Sequence, residues 1–410
     1  MKTKLKTIIL FITMILLQKA EGQEIVKNSN EIDTNYKRSS LYTLMITDAS
    51  REYESDIKSY FLDKVLPEKY NNHNLENRTI NRAGKKIELD NIVNFLNTEK
   101  IAHKLIAKWF NRKEDGSFDM SLIRERGFYD ASVLDINTAK NTTRGLAQLA
   151  DAGEELIGNT FILVNDSRYT NKEEVAGYAK SFLGSLTSQL GVSVGSYAAD
   201  LTLTTFGKGF VVSTNSHLFK LVWDKEIESR FYNELYFDNS EQYKRLTKEQ
   251  KLAKKNAFDN ADFFALEYIG TDKSSADVQS SGFTTKTNSE LIGRATVKSI
   301  DNVITKLQYS YDVFKTKTPI YTDSPLTAKI GLKEGLTKKT KFEVLEQQQM
   351  EDGSLAFVPV GIIKVDTKYP IWDNRYGADE ENPNQETDRT HFKVVKGNDF
   401  MIGSLIRQIK

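Results

Sequence analysis

Not one of the 410 residues is a cysteine. No disulfide can staple this fold and no thiolate can hold a metal in it, so any core must be stabilised by burial. The material for that is present: 39% of the residues are apolar and 10% aromatic. The length allows two to three domains of about 100–200 residues each.

The amino terminus sharpens the point. Lys2, Lys4 and Lys6 precede an apolar run over 8–17, and Ala20-Glu21-Gly22 supplies small residues beyond it. That order predicts a signal peptide over 1–22 and a mature start near Gln23. The alternative, a retained anchor, has a run well below the roughly 20 residues a spanning helix needs. With no cysteine after the run there is no acceptor for a bacterial lipid. A disulfide-free exported chain of this size fits a bacterial envelope: periplasmic or outer-membrane associated, with an extracellular location the other option. Removing four lysines and Glu21 with the leader takes the formal charge from +1 to about −2. That balance favours neither nucleic acid nor an anionic membrane as a partner.

The pattern predicts an α+β chain of several domains. Residues 23–116 read as a mixed α/β region, with a strand over 41–48, a helix over 49–66 ended by Pro67, and a helix over 89–110. Ile92, Leu96, Ile101, Leu105 and Trp109 lie on one face of the latter. The segment 111–117 is a turn. Residues 117–315 read as a central α/β domain with a helical insertion: strands over 129–135 and 160–164 around a helix, the size of a βαβ crossover. A helix from 171 to 183 follows, then helices over 224–237 and 240–258, the latter charged and facing solvent, a strand over 263–269 and a helix over 289–314. Residues 316–410 read as a small β-barrel or curled sheet, with strands over 341–346, 360–365 and 392–395 and a turn at Asp352-Gly353. Pro359 must sit at an edge or a bulge there, because it cannot donate to a ladder.

Several motifs invite a chemical reading. Gly191-Val192-Ser193-Val194-Gly195 matches the nucleophile elbow, with Asp366 or Asp373 and then His391 following in the order a hydrolase requires. No series of βα units surrounds it, and its flanks are rich in Gly, Ser and Thr, so a glycine-containing strand or loop is the favoured reading. Over 189–212, Leu190, Val192, Val194, Leu201 and Leu203 alternate with small or hydroxyl residues, as in a tilted membrane-spanning strand. One hairpin cannot close a pore, so this alternative requires a ring oligomer; an ordinary hairpin with one face on the core is preferred. His73, His103, His217 and His391 have no metal-ligand spacing. The acidic run Asp373, Asp379, Glu380, Glu381, Glu386 and Asp388 lacks the regular spacing of a calcium loop and reads as a mobile acidic loop. Asp151, Glu154 and Glu155 read as surface charges of a helix. Gly207-Lys208-Gly209 lacks the spacing and following hydroxyl of a phosphate loop.

Two stretches resemble known envelope-assembly families. The 129–135 strand, its helix and 159–164 resemble the strand-helix-strand unit of the curli secretion channel family and of the middle domain of the flagellar assembly protein T family. Gly331-Leu332-Lys333-Glu334-Gly335, with 341–344 and 360–365, is similar to the small barrel that ends the latter. The resemblance covers about a third of the chain. It implies an exported, non-enzymatic protein that oligomerises at the outer membrane, and it carries no catalytic residue to transfer. The charged insertion 240–256 and the missing lipid-acceptor cysteine depart from it.

The expectation is thus a structural or assembly factor acting through protein partners or self-association, with peripheral membrane contact at most. No catalytic, cofactor-binding or metal residue is assigned, and no cofactor. A membrane-inserting oligomer using 189–212 and a serine hydrolase using Ser193 are the alternatives.

Overall fold

The computed structural model describes residues 39–64, 69–82, 87–127, 156–171, 209–238, 241–279, 286–349, 355–381, 385, 387–398 and 400–409. These form an α+β structure with two sheets. The first runs β2 (Asn71–Asn72), β1 (Ser40–Thr47), β4 (Thr160–Asn171), β5 (Gly209–Leu221) and β6 (Leu266–Gln279), with β3 (Thr79–Asn81) also paired to β1. β1 is parallel to β2, β3 and β4, while β4, β5 and β6 are mutually antiparallel. Strands from both sides of Gly116 therefore share this sheet.

Alternation sends side chains to two opposite cores. On one face Tyr42, Leu44, Ile162, Val164 and Phe219 meet helices α2 (Leu89–Thr98) and α3 (Ile101–Trp109) and a dense aromatic group around Phe110, Phe118 and Phe231. On the other, Leu41, Phe161, Leu163, Val212 and Leu218 pack on Ile57 and Phe61 of α1 (Glu54–Lys64) and on α8 (Asn288–Ser310). Thr287 caps α8, its hydroxyl accepting from the Glu290 amide while the Glu290 carboxylate returns to the Thr287 amide.

Several sequence expectations change. The single helix over 89–110 is two, because Lys100 takes a left-handed conformation at φ 49° that turns the chain between them. The five apolar residues assigned to its face are nonetheless all buried. The helix over 49–66 begins only at Glu54, after turns through Tyr53. The helix over 224–237 is α5 (Lys225–Arg230) running into one π-helical turn, Phe231–Leu235. The charged stretch 240–258 breaks into α6 (Glu241–Lys244) and α7 (Lys248–Asp259), where Thr247 starts a new capped helix. α7 is not simply solvent-facing: Arg112 pairs with Asp259 at 2.6 Å over the buried ring of Phe258, and Lys255 donates to the Glu114 carbonyl.

The second strand of the expected crossover is β4. Over 161–165 it is flanked by β1 on one side and β5 on the other. Its parallel partner, β1, comes from about 120 residues upstream. Residues 129–135 themselves, the helix from 172 to 183 and Asp352-Gly353 lie outside the described residues.

The second sheet has seven strands in the order β7 (Lys317–Pro319), β13 (Leu405–Gln408), β10 (Lys341–Gln349), β11 (Leu355–Val365), β12 (Thr390–Lys396), β9 (Leu326–Ala328) and β8 (Thr322–Asp323). It curls around Phe342, Val344, Ile363, Phe392 and Ile406. Among the described residues β7 and β8 end the order without pairing to each other, so the barrel is a half-barrel. Pro359 adjoins a bulge: Leu345 faces Pro359 and Val344 faces Gly361, which leaves Val360 as the extra residue.

Candidate functional site

Ser193, residues 189–208, and Asp151, Glu154 and Glu155 lie outside the described residues. Gly209–Val212, the end of the proposed membrane hairpin, belong to β5, where Phe210, Val211 and Val212 are all buried in the protein. Those residues are therefore core and not a lipid-facing strand. His391 stacks on Tyr369, with ring centroids 4.0 Å apart, and its buried Nδ1 has no hydrogen-bond partner. A triad needs a carboxylate at that nitrogen. Asp366 instead accepts from the Lys368 amide and pairs with Lys393, and Asp373 is held below the usual carboxylate range by its bonds to Arg375. Asp388 of the acidic run is likewise engaged by Arg389 and Lys329. Among the described residues no three His, Asp or Glu side chains converge as a metal set.

The other histidines are built into the fold. His73 bonds the Leu105 carbonyl through Nε2 at 3.0 Å, which places its proton there and leaves Nδ1 to accept from Arg126 at 3.1 Å. Arg126, itself buried, also donates to Ser40 Oγ and lies 4.2 Å above the Trp109 ring. Burial brings the Arg126 guanidinium down to about 10 and keeps His73 well below its ordinary range. Among the described residues the acceptors of Arg126 are all neutral, and the cluster anchors α4 (Ser121–Gly127) and α3 to β1.

Two features lie apart from these pairings. At one end of the first sheet β4, β5 and β6 finish together, Asn171 beside Phe210 and Gly209 beside Gln279. The chain leaves and re-enters the sheet there around 172–208. The lateral edges are closed. Short β2 and β3 cover β1, and Arg51 donates to the Ser167 carbonyl beyond the end of β1. On the far side the carbonyls of Thr271, Lys273 and Ser275 accept from Tyr311, Lys306 and Asn302 respectively.

The second feature is a cleft of about 380 Å³ between the carboxyl-terminal end of α8 and the curled sheet. Ile330, Leu336, Phe342 and Ile406 form its floor; Lys69, Gln308, Tyr309, Glu334, Lys315 and Gln408 ring it. Lys69 Nζ donates to Gln308 Oε1 at 3.0 Å, and Gln308 Nε2 donates to Tyr70 Oη at 2.6 Å, which fixes the amide's orientation. Burial lowers the Lys69 ammonium from its ordinary range and raises the Tyr70 phenol. Glu334 is already engaged, accepting from the Gly331 amide and Asn374 Nδ2, each at 2.7 Å.

Sequence reasoning missed this cleft, since Lys69 and Gln308 are 239 positions apart and belong to no motif. No protein-family model matches the chain, and no curated protein matches it in sequence.

Proposed function

We propose that this protein is an exported, non-enzymatic component of a bacterial envelope that assembles through contacts made at the end of its mixed sheet where β4, β5 and β6 finish. The observation that carries the reading is the contrast between edges and end. Both lateral edges of the sheet are occupied by short strands or side-chain donors, which disfavours sideways strand addition. The long strands β4, β5 and β6 converge at the end from which 172–208 departs. An end at which three long strands finish together suits presentation of a contact surface. His73 and Arg126 are engaged in structural bonding, Asp366 and Asp373 are held by Lys393 and Arg375, and no carboxylate bonds His391 Nδ1, which favours the assembly role over hydrolysis.

In this reading 1–22 is a removed signal peptide, 117–315 forms the central domain together with the amino-terminal strands, and 316–410 is a barrel-like domain at the carboxyl terminus. The family resemblances at 129–164 and 331–365 point to the same role. Membrane insertion by 189–208 is the second reading, favoured by the alternation of Leu190, Val192 and Val194.

Crosslinking of native envelopes followed by fractionation and mass spectrometry tests the proposal. The expected result is a processed chain beginning near Gln23, crosslinked to itself or to an envelope protein, with crosslinks lost when 172–208 is replaced by a short Gly-Ser linker. Recovery as a free monomer in the soluble fraction, or as an unprocessed cytosolic chain, overturns it. Liposome leakage that requires 189–208 would select the second reading.

A further inference from the structure

We infer that the cleft between α8 and the curled sheet binds a small amphipathic anion: a carboxylate, or an equivalent singly charged head, on a short apolar body. The head would sit at Lys69 and the body against Leu336, Phe342 and Ile409. This is independent of the assembly reading.

The size comes first. At about 380 Å³ the concavity is in the range of small-molecule sites and combines an apolar floor with a few polar groups, the usual make-up of such sites. Two bodies that merely abut would bring apolar surfaces together here. Instead, Ile330, Leu336 and Phe342 of the second core face a recess ringed by polar side chains.

The charge comes second. Among the described residues the hydrogen-bond acceptor of Lys69 is the neutral oxygen of Gln308, which satisfies one of three ammonium protons. Gln308 cannot rotate to offer more, because its amide nitrogen is committed to Tyr70. The nearby carboxylate of Glu334 favours the charged ammonium from a distance but makes its hydrogen bonds to the Gly331 amide and Asn374 Nδ2, both at Oε2, and the other cleft lysine, Lys315, is paired with Asp312 at 2.5 Å. Among the described residues the Lys69 ammonium thus makes no direct ion pair. A desolvated cation is costly unless paired, so the complementary ligand head is an anion. A single unpaired cation beside an apolar floor matches one charge on an apolar body; a polyphosphate or a sugar would leave much of the recess mismatched.

Titration of the full mature chain with straight-chain carboxylates from butanoate to decanoate, and with 1-octanol as the uncharged counterpart, decides the matter by calorimetry. We expect at least one carboxylate to bind one site per chain, with octanol about tenfold weaker or more. Lys69→Met should erase the difference between acid and alcohol, Lys69→Arg should retain it, and Thr316→Trp, which fills the recess, should abolish binding of both. Absence of binding across the whole series, undiminished acid binding by Lys69→Met, or undiminished binding by Thr316→Trp overturns the inference. Should Lys69→Met fail to fold, the acid and alcohol comparison on the unaltered chain together with Thr316→Trp still decides. Competition by inorganic phosphate or by a vesicle of anionic lipid then separates a soluble ligand from a headgroup source of the same chemistry.

Discussion

Lys306 on α8 donates through Nζ to the carbonyl oxygen of Lys273 on β6, at 2.7 Å. It is the middle member of a row. Asn302, one helical turn earlier, reaches Ser275, and Tyr311, beyond the helix end, both donates to the Thr271 carbonyl and accepts from its amide. Alternate residues of an edge strand present their backbone groups outward, and helix residues four apart lie on one face, so the two periods bring donors and acceptors together.

This row predicts a gain of self-association when it is removed. The triple variant Asn302→Ala, Lys306→Ala, Tyr311→Phe exposes a run of unpaired backbone groups on a 14-residue strand. Sedimentation and thioflavin binding should show β-type aggregation at concentrations where the parent shows none. A triple variant indistinguishable from the parent would mean that the caps do not guard the edge.

A buried hydroxyl chain joins sheet and helix: Ser299 Oγ donates to Thr214 Oγ1 at 2.7 Å, and Ser167 Oγ lies 2.9 Å from the same atom. Thr214→Val keeps the shape of the side chain but strands both serines. Unsatisfied buried groups cost about 1–3 kcal/mol, so urea unfolding should show a loss of that order with an unchanged slope. A loss near zero would indicate that the serines find other partners.

Gly361 lies beside the bulge of β11, where an added Cβ would fall 2.1 Å from the Phe400 ring and 2.6 Å from the Lys396 carbonyl. The backbone contact cannot be relieved by a rotamer change. Overpacking of this kind costs about 1–3 kcal/mol, and Gly361→Ala should lower the thermal midpoint accordingly. Restoration by Phe400→Leu would be partial, since the carbonyl contact remains.

Stability should fall on mild acidification. His73, His103 and His217 are all held below the ordinary histidine value of 6.5, chiefly by burial. Below 6.5 the unfolded chain takes up protons that the folded chain refuses, so unfolding is favoured as pH drops. The contribution is complete above that value and is lost progressively beneath it. Thermal unfolding between about pH 7.5 and about pH 5.5 should show a falling midpoint, less steep in His73→Asn. A flat profile would contradict the burial of these rings.

Local pattern was readable in apolar runs and periods. β1, covered on both faces, shows as a near-continuous apolar run, while β10, β12, the helix from 289 and the burial of Ile92, Leu96, Ile101, Leu105 and Trp109 follow from side-chain pattern. Continuity was less readable: no periodicity announces that Lys100 adopts φ 49° and divides one apolar face between two helices. The Lys69 and Gln308 pairing, at the centre of the cleft, was not legible at all.

By itself, then, the amino-acid order determined that burial must hold this protein together, since it contains no cysteine, and which segments would have an inside and an outside. Tertiary structure decided the rest: that β4 lies between β1 and β5, that α8 guards β6, and that Lys69 and Gln308 meet in a cleft that Leu336 and Phe342 also line. The physical reason is range. Helix and strand periods are set by neighbours a few residues apart, whereas a sheet order or a cleft depends on which distant surfaces bury each other best.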